Sequence, residues 1–341
     1  MIDAKKTNDY VKMLMANLSF KADYHRFVNK DGGKQRLLIV EGATDEAFIK
    51  KIISTDVACI IAQKAFRRPS SFGKKPQEDF INYKAAIVQL VCGLSRFPQI
   101  ISCPGSDKWI VYGMVDLDFD EAENNLFEGT KQLFVTDTHD LETLLLSTDA
   151  DLLQRIKRCS IKIDDIRRAF SAAYQIGLIK MVLTDYCSGL NFSSLSAGKV
   201  EVAYAEFVED DGKISLKRII SYMNEQSEKK LSSAKIEGMI SKIKKDKRIK
   251  KYLNKDGEWD KSTESFDFSL YKDFWDVVNG HDILALLRYV NNDIAEAYKG
   301  NTKSLNREFE FDLIDNYEYK YLEKTELYHN MYLNRIVNDI E

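Results

Sequence analysis

The sequence predicts an α/β protein: a mainly parallel sheet flanked by helices, followed by a largely helical C-terminal region. Three observations carry this expectation. Short apolar runs alternate with helix-like stretches over about the first 150 residues. Two of those runs, RLLIV and WIVYGMV, stop abruptly at carboxylates, as buried strands do when they deliver acids to a sheet edge. The second half changes to lysine-rich and tyrosine-rich helical patterns.

In chain order, 36–40 reads as a short buried strand, followed by a turn at Gly42 and a helix over 44–54 with Ala47, Phe48, Lys51 and Ile52 at helical spacing. A second β-rich run spans 57–62. A loop over 64–76 is marked by Pro69, Ser70, Ser71, Gly73 and Pro76. Residues 79–96 read as a helix with Ile81, Ala85, Val88 and Cys92 on one face. Strands follow at 109–115 and 132–135, then a turn over 137–140 with cap chemistry leads into a helix over 141–147. Beyond it, 164–183 is helical and 199–208 alternates like a strand. The stretch 213–251 is a helical region with a serine break, and 280–298 and 308–341 are helical.

A chain of 341 residues has room for two domains, or for one domain with large insertions; the change of character sets the expected boundary at 1–155 and 156–341, the alternative being that the later helices pack back on the sheet. Apolar content of 44% and a charged fraction of 30% describe a globular protein and exclude a disordered tail. The net charge of -3 averages over segments of opposite sign. The N-terminus lacks the apolar core of a signal peptide, and no apolar stretch approaches the roughly 20 residues that span a bilayer. Cys59, Cys92, Cys103, Cys159 and Cys187 are odd in number and form no CxxC or zinc spacing. They read as buried free thiols of a reducing cytosol, so a soluble cytoplasmic protein is expected.

The acids carry the functional signal. Glu41 follows the first strand directly and Asp45 opens the next helix, while Asp116, Asp118 and Asp120 follow the strand 109–115. Functional groups in an open parallel sheet gather at the carboxyl ends of the strands. Asp116 and Asp118 are two apart, so in extended backbone both would project to one side. Carboxylates converging this way repel unless a cation compensates them. Mg²⁺, which takes oxygen ligands and keeps substrate phosphates, suits them, with Mn²⁺ as a substitute.

These residues resemble the Toprim domain, shared by topoisomerases, bacterial primases, RNA maturases and nucleases, over roughly residues 36–146. A closer resemblance is to the Toprim-related domains that accompany ABC-type ATPases in bacterial anti-phage loci. There VEGxxD, (V/I)DxDFD, THDLE and NGHD segments recur together, and all four are present here: 41–45, 116–120, 138–142 and 279–282. The resemblance implies a metal-dependent endonuclease acting as a toxic effector. Glu41 would serve as general acid/base or metal ligand, and Asp116 and Asp118 would hold metal. Asp45 and Asp120 would complete a second metal site or orient metal-bound waters. It also implies release from a separate ABC-type ATPase, an active homodimer, and RNA, transfer RNA above all, as substrate in preference to DNA.

His139 admits two readings: a proton donor or positioning group near the scissile phosphate, or an exposed neighbour of Thr138 and Asp140, either of which could cap the next helix. The family resemblance favours the first. Asn279-Gly280 is turn chemistry, so His281 and Asp282 are expected to be structural. KIKKDKRIKK at 242–251 carries seven basic residues in ten, with Lys244, Lys245, Lys247 and Arg248 as candidates for a phosphate backbone or as a solvated helix face. Arg67, Arg68, Lys74 and Lys75 flank a loop in the catalytic half and could hold phosphates or a partner. Tyr317, Tyr319 and Tyr321 sit among acids and read as packing or interface residues, not as base-stacking platforms. No GxxxxGK[ST] is present, so ATP dependence must come from the partner. The alternatives are a non-catalytic metal-binding scaffold that docks nucleic acid or a partner, and a DNA nuclease or primase-type enzyme.

Overall fold

The computed structural model describes residues 2–19, 35–66, 82–98, 109–118, 130–186, 216–225, 230–250, 274–298 and 302–340. It divides into two compact units. One comprises Met1–Asp120, Asn124–Asp137 and Glu318–Glu341, the other Glu121–Glu123 and Thr138–Tyr317. The division falls at Thr138, ahead of the expected 155, and the last stretch of chain returns to the first unit.

The first unit is built on a four-stranded, all-parallel sheet in the order β2-β1-β3-β4, with β1 Gln35–Val40, β2 Val57–Ile61, β3 Trp109–Val115 and β4 Leu133–Val135. The strands are apolar along their length because both faces are covered. Leu37, Ile39, Ala58, Ile60, Val111 and Val115 share one core with helices α1 (Ala4–Ser19), α3 (Ala62–Ala65) and α4 (Tyr83–Arg96). Period-2 alternation turns Leu38, Val40, Tyr112 and Met114 to the opposite face, where Tyr112 stacks on Phe134 at 5.8 Å.

Helix α4 buries Ala86, Ile87, Val88, Leu90, Val91 and Gly93: of the expected stripe Val88 is in the core, Ala85 is exposed, Cys92 is only partly covered, and Ile81 lies outside the described residues. The helix is wedged between α1 and the sheet, so two flanks are covered instead of one face. A Cβ on Gly93 would lie 2.0 Å from Thr7 Oγ1, which is why α1 can press so close. Helix α2 (Ala43–Ile49) is shorter than expected. The chain just beyond it is captured by the C-terminal segment: Ile53 bridges Val337 antiparallel, and the Ser54 N–H donates to the Ile336 carbonyl at 2.9 Å. Tyr319 stacks on Phe48 at 5.9 Å in the same region. This long-range pairing ends the helix before its own sequence would.

The second unit has helices and no strand among its described residues. Helix α5 is Leu141–Thr148, α6 Leu152–Arg155 and α7 Ile163–Tyr186. Helix α7 packs on Gly280–Val290, in which Ile283, Leu284, Ala285, Leu286 and Leu287 are fully buried. Phe170, Tyr174, Phe274 and Trp275 form an aromatic cluster beside them. The expected helix 280–298 is two helices. Asn291 leaves helical geometry at φ -130 and caps Asn292–Ala297 through its side chain, which also donates to Asp165 at 2.8 Å. The expected strand 199–208 lies outside the described residues. Among the described residues no helix is long and apolar enough to cross a membrane.

Candidate functional site

The acidic site grows directly from the sheet register. Strands β1 and β3 are parallel neighbours with Val40 opposite Met114, so their carboxyl ends finish side by side. Glu41 and Asp116 are the next residues to emerge. The Asp116 backbone N–H donates to Glu41 Oε1 at 3.0 Å, fixing the carboxylate across the strand ends. The Leu117 N–H donates to Thr136 Oγ1 at 2.9 Å, tying the loop after β3 to the end of β4. Asp45, in the first turn of α2, accepts the Gly42 N–H at 2.7 Å and closes the turn between strand and helix.

The chain does not run extended through Asp116-Leu117-Asp118, as spacing alone implies. Asp118 adopts φ 51, a left-handed conformation that aspartate tolerates better than most residues. This turn brings Asp118 Oδ2 to 2.7 Å from Lys84 Nζ on α4, while the same ammonium donates to the Leu117 carbonyl at 3.3 Å. Lys84 is the residue that sequence reasoning missed. Nothing in its helical context separates it from a solvated lysine.

Glu41 registers the convergence electrostatically. Its carboxyl is pushed from the ordinary 4.5 up to about 7, first by burial. The Asp116 N–H opposes this, the charges of Asp45 and Asp118 add to it, and Lys84 works against it. A divalent cation would reverse the sign of that field.

Asp120, Arg67, Arg68, Lys74 and Lys75 lie outside the described residues. Lys244, Lys245 and Lys247 belong to the helical unit, exposed on Ser233–Lys245 and at the start of Lys247–Lys250. The basic run is not one helix: Asp246 breaks it at ψ 134, while Ile243 and Ile249 anchor the two pieces in the core. Arg248 lies in the second piece.

His139 and the THDLE segment belong to the helical unit. Asp137, just before it, caps Glu326–Leu333 in the sheet unit by accepting the Glu326 N–H at 3.0 Å. Asp140 caps α5, accepting the Thr143 N–H at 2.9 Å, and its second oxygen accepts the Gly280 N–H at 2.7 Å. THDLE and NGHD, far apart in sequence, therefore meet through one carboxylate. His139 is not the exposed neighbour that one reading expected. It is 3% exposed, with Nδ1 3.2 Å from Asp140 Oδ2 and its backbone N–H on the Trp275 carbonyl at 3.0 Å.

Beside this clamp, His281 Nδ1 stands 3.0 Å from Glu310 Oε1 and 4.0 Å from Glu142 Oε1. Burial alone would raise the Asp140 carboxyl, but His139, His281 and the Thr143 N–H hold it at about 2. Burial lifts Glu142 well above the ordinary carboxyl range, reinforced by Asp140 and Glu310 and opposed by His281. For His281, burial disfavours the charge, yet Glu142, Glu310 and Asp140 outweigh it and hold the imidazole protonated well above 6.5. Lys180 pairs with the buried Asp282 at 2.5 Å, so that aspartate is more than a first-turn acid. Glu310 carries no motif signal and could not have been found from sequence.

No family model matches the sequence, and no curated protein or solved structure is significantly similar to it.

Proposed function

We propose that the protein is a metal-dependent endonuclease of the Toprim type, with its active site at the carboxyl ends of β1 and β3. The observation that carries this is the pairing of Glu41 with the Asp116 N–H across adjacent strand ends, with Asp45 and Asp118 close enough to raise the Glu41 carboxyl. The donor set fits a hard cation, because every candidate ligand is a carboxylate oxygen. Asp116, Asp118 and Glu41 would hold Mg²⁺ or Mn²⁺, with Asp45 and Asp120 completing the site. When bound, the metal supplies charge neutralisation at the phosphate and a more acidic water.

The chain's own residues supply the rest. A carboxyl held at the strand ends can take a proton from the attacking oxygen or give one to the leaving oxygen, so Glu41 is the acid/base candidate. The Asp116 amide fixes its orientation. Lys84 holds the turned Asp118 in place and sets a positive charge beside the carboxylates, where a phosphate would otherwise meet only repulsion.

The resemblance of the four segments extends the proposal to a toxic anti-phage effector of the kind found as the nuclease subunit of PARIS-type systems. In that reading it acts on RNA, transfer RNA above all, as a homodimer released from a separate ABC-type ATPase. The Lys84–Asp118 pair favours one other reading: a lysine that supplies the counter-charge permanently would leave a non-catalytic scaffold. Incubating end-labelled transfer RNA and duplex DNA with the purified protein, with Mg²⁺ or with chelator, separates the two. Chelator-sensitive cleavage lost in Asp116→Ala supports the nuclease; cleavage in neither condition supports the scaffold.

A further inference from the structure

The helical unit carries a cluster of donors that the proposed nuclease chemistry does not use. Glu142 lies in the first turn of α5, His281 in the first turn of Gly280–Val290, and Glu310 in the middle of Thr302–Asn316. One ligand atom from each lies within 4.8 Å of the other two. Donors bound to one tetrahedral metal at about 2.0–2.2 Å sit roughly 3.3–3.6 Å apart. The observed 3.0 Å and 4.0 Å from His281 Nδ1 to the two carboxylates bracket that spacing, so small side-chain adjustments suffice.

The donors are held by packing. A Cβ on Gly280 would fall 2.4 Å from Glu142 Cβ, so the bare glycine lets the helix bearing His281 settle onto the first turn of α5. Asp140 is not a fourth donor: its oxygens are committed to the Thr143 and Gly280 N–H groups and to His139, and it clamps the two helix starts together. Such support around a metal site is what fixes ligand orientation.

Glu142 and Glu310 are 5% and 6% exposed, whereas the His281 side chain is 45% exposed. Two buried carboxylates thus converge with one imidazole nitrogen, and the open side at His281 leaves room for water as a further ligand.

We infer that Glu142, His281 and Glu310 form a second metal site that selects a borderline transition cation of the Mn²⁺, Co²⁺ or Zn²⁺ class. An imidazole nitrogen with two carboxylates suits these ions, while Mg²⁺ prefers an all-oxygen set. This site is independent of the nuclease reading and stands if that reading fails.

Cobalt is the probe that tests it. The full chain, stripped with chelator and held in excess Mg²⁺, is titrated with Co²⁺ and followed by its visible absorption. One Co²⁺ is expected to bind, to bind equally in the Glu41→Ala/Asp116→Ala variant, and to bind more than about 10-fold weaker in His281→Asn and Glu310→Gln, since losing even an outer partner costs that much. Pulsed electron paramagnetic resonance with Mn²⁺ should show a histidine nitrogen coupling that His281→Asn removes. This second readout decides the matter even if Glu310→Gln unfolds the helical unit. Absence of a Co²⁺ band in the wild type, unchanged affinity in His281→Asn, or loss of the band in the Glu41→Ala/Asp116→Ala variant overturns the inference.

Discussion

Replacing Gly280 with alanine tests the clamp between THDLE and NGHD with a single methyl group. The added Cβ would lie 2.4 Å from Glu142 Cβ, 2.6 Å from Asp140 Oδ1 and 3.2 Å from the Thr143 nitrogen. Ordinary carbon contacts fall at about 3.5–4.0 Å, so the helix start must move by an ångström or more. Overpacking of this kind costs about 1–3 kcal/mol. The same movement stretches the 2.7 Å bond from Gly280 N–H to the buried Asp140 carboxylate, and bonds to a charged group are worth about 1.5–3 kcal/mol. Helix propensity works the other way, since alanine gains about 1 kcal/mol over glycine. The expected net loss is about 2–4 kcal/mol. Gly238, in Ser233–Lys245, has nothing within 4 Å of its Cβ position and provides the control, with Gly238→Ala neutral or mildly stabilising. Urea unfolding of both variants, followed by tryptophan emission, measures the difference. Equal stability of Gly280→Ala and wild type would show that the helix start is not held as described.

Glu41 makes stability depend on pH. Its carboxyl is raised from 4.5 to about 7, so the folded state favours the protonated form; the contribution is complete below about pH 4.5 and is lost as pH rises through about 7. The full span amounts to roughly 3 kcal/mol. Urea midpoints at pH 5 and pH 8 should therefore lie closer together in Glu41→Gln than in wild type, and identical slopes would contradict the burial argument. Lys84→Met removes a charge that holds Glu41 down, so carbon-detected NMR should place the Glu41 titration above about 7, with a stability loss of about 1 kcal/mol for a pair whose carboxylate is half-exposed. A Glu41 titration that falls or stays put would sever the proposed link. Reversing Lys244, Lys245 and Lys247 to glutamate should leave stability within about 0.5 kcal/mol, because all three are exposed. If the run docks single-stranded RNA, the salt dependence of binding should also flatten by about two in log–log slope; an unchanged slope removes these lysines from the interface.

The strand ends were legible because burial on both faces writes itself as an unbroken apolar run. Arg36–Val40 and Trp109–Val115 therefore stood out, and with them Glu41 and Asp116. What sequence could not show came from contacts across long separations. Nothing local in Glu318–Glu341 announces that it returns to the sheet unit, where the Ile53–Val337 bridge cuts α2 short. Asp118 turns left-handed where period-2 reasoning kept it extended, so Lys84 became its partner unannounced. Residues 280–298 read as one helix, but Asn291 opens the polar run Asn291-Asn292-Asp293 and its side chain caps a second helix. THDLE and NGHD were both visible as motifs. Their meeting through Asp140 and Gly280, with Glu310 brought alongside, needed the folded chain.

The proposed nuclease requires Glu41 to act on a phosphodiester beside a cation held by its neighbours. Single-turnover cleavage of transfer RNA in Mg²⁺ by wild type, Glu41→Gln and His281→Asn tests it most directly. Glu41→Gln should lose rate on the order of 10³, within the range for removing a general acid or base, with the fold intact by circular dichroism. His281→Asn should cleave at a near-wild-type rate. Cleavage by Glu41→Gln at the wild-type rate would contradict that requirement.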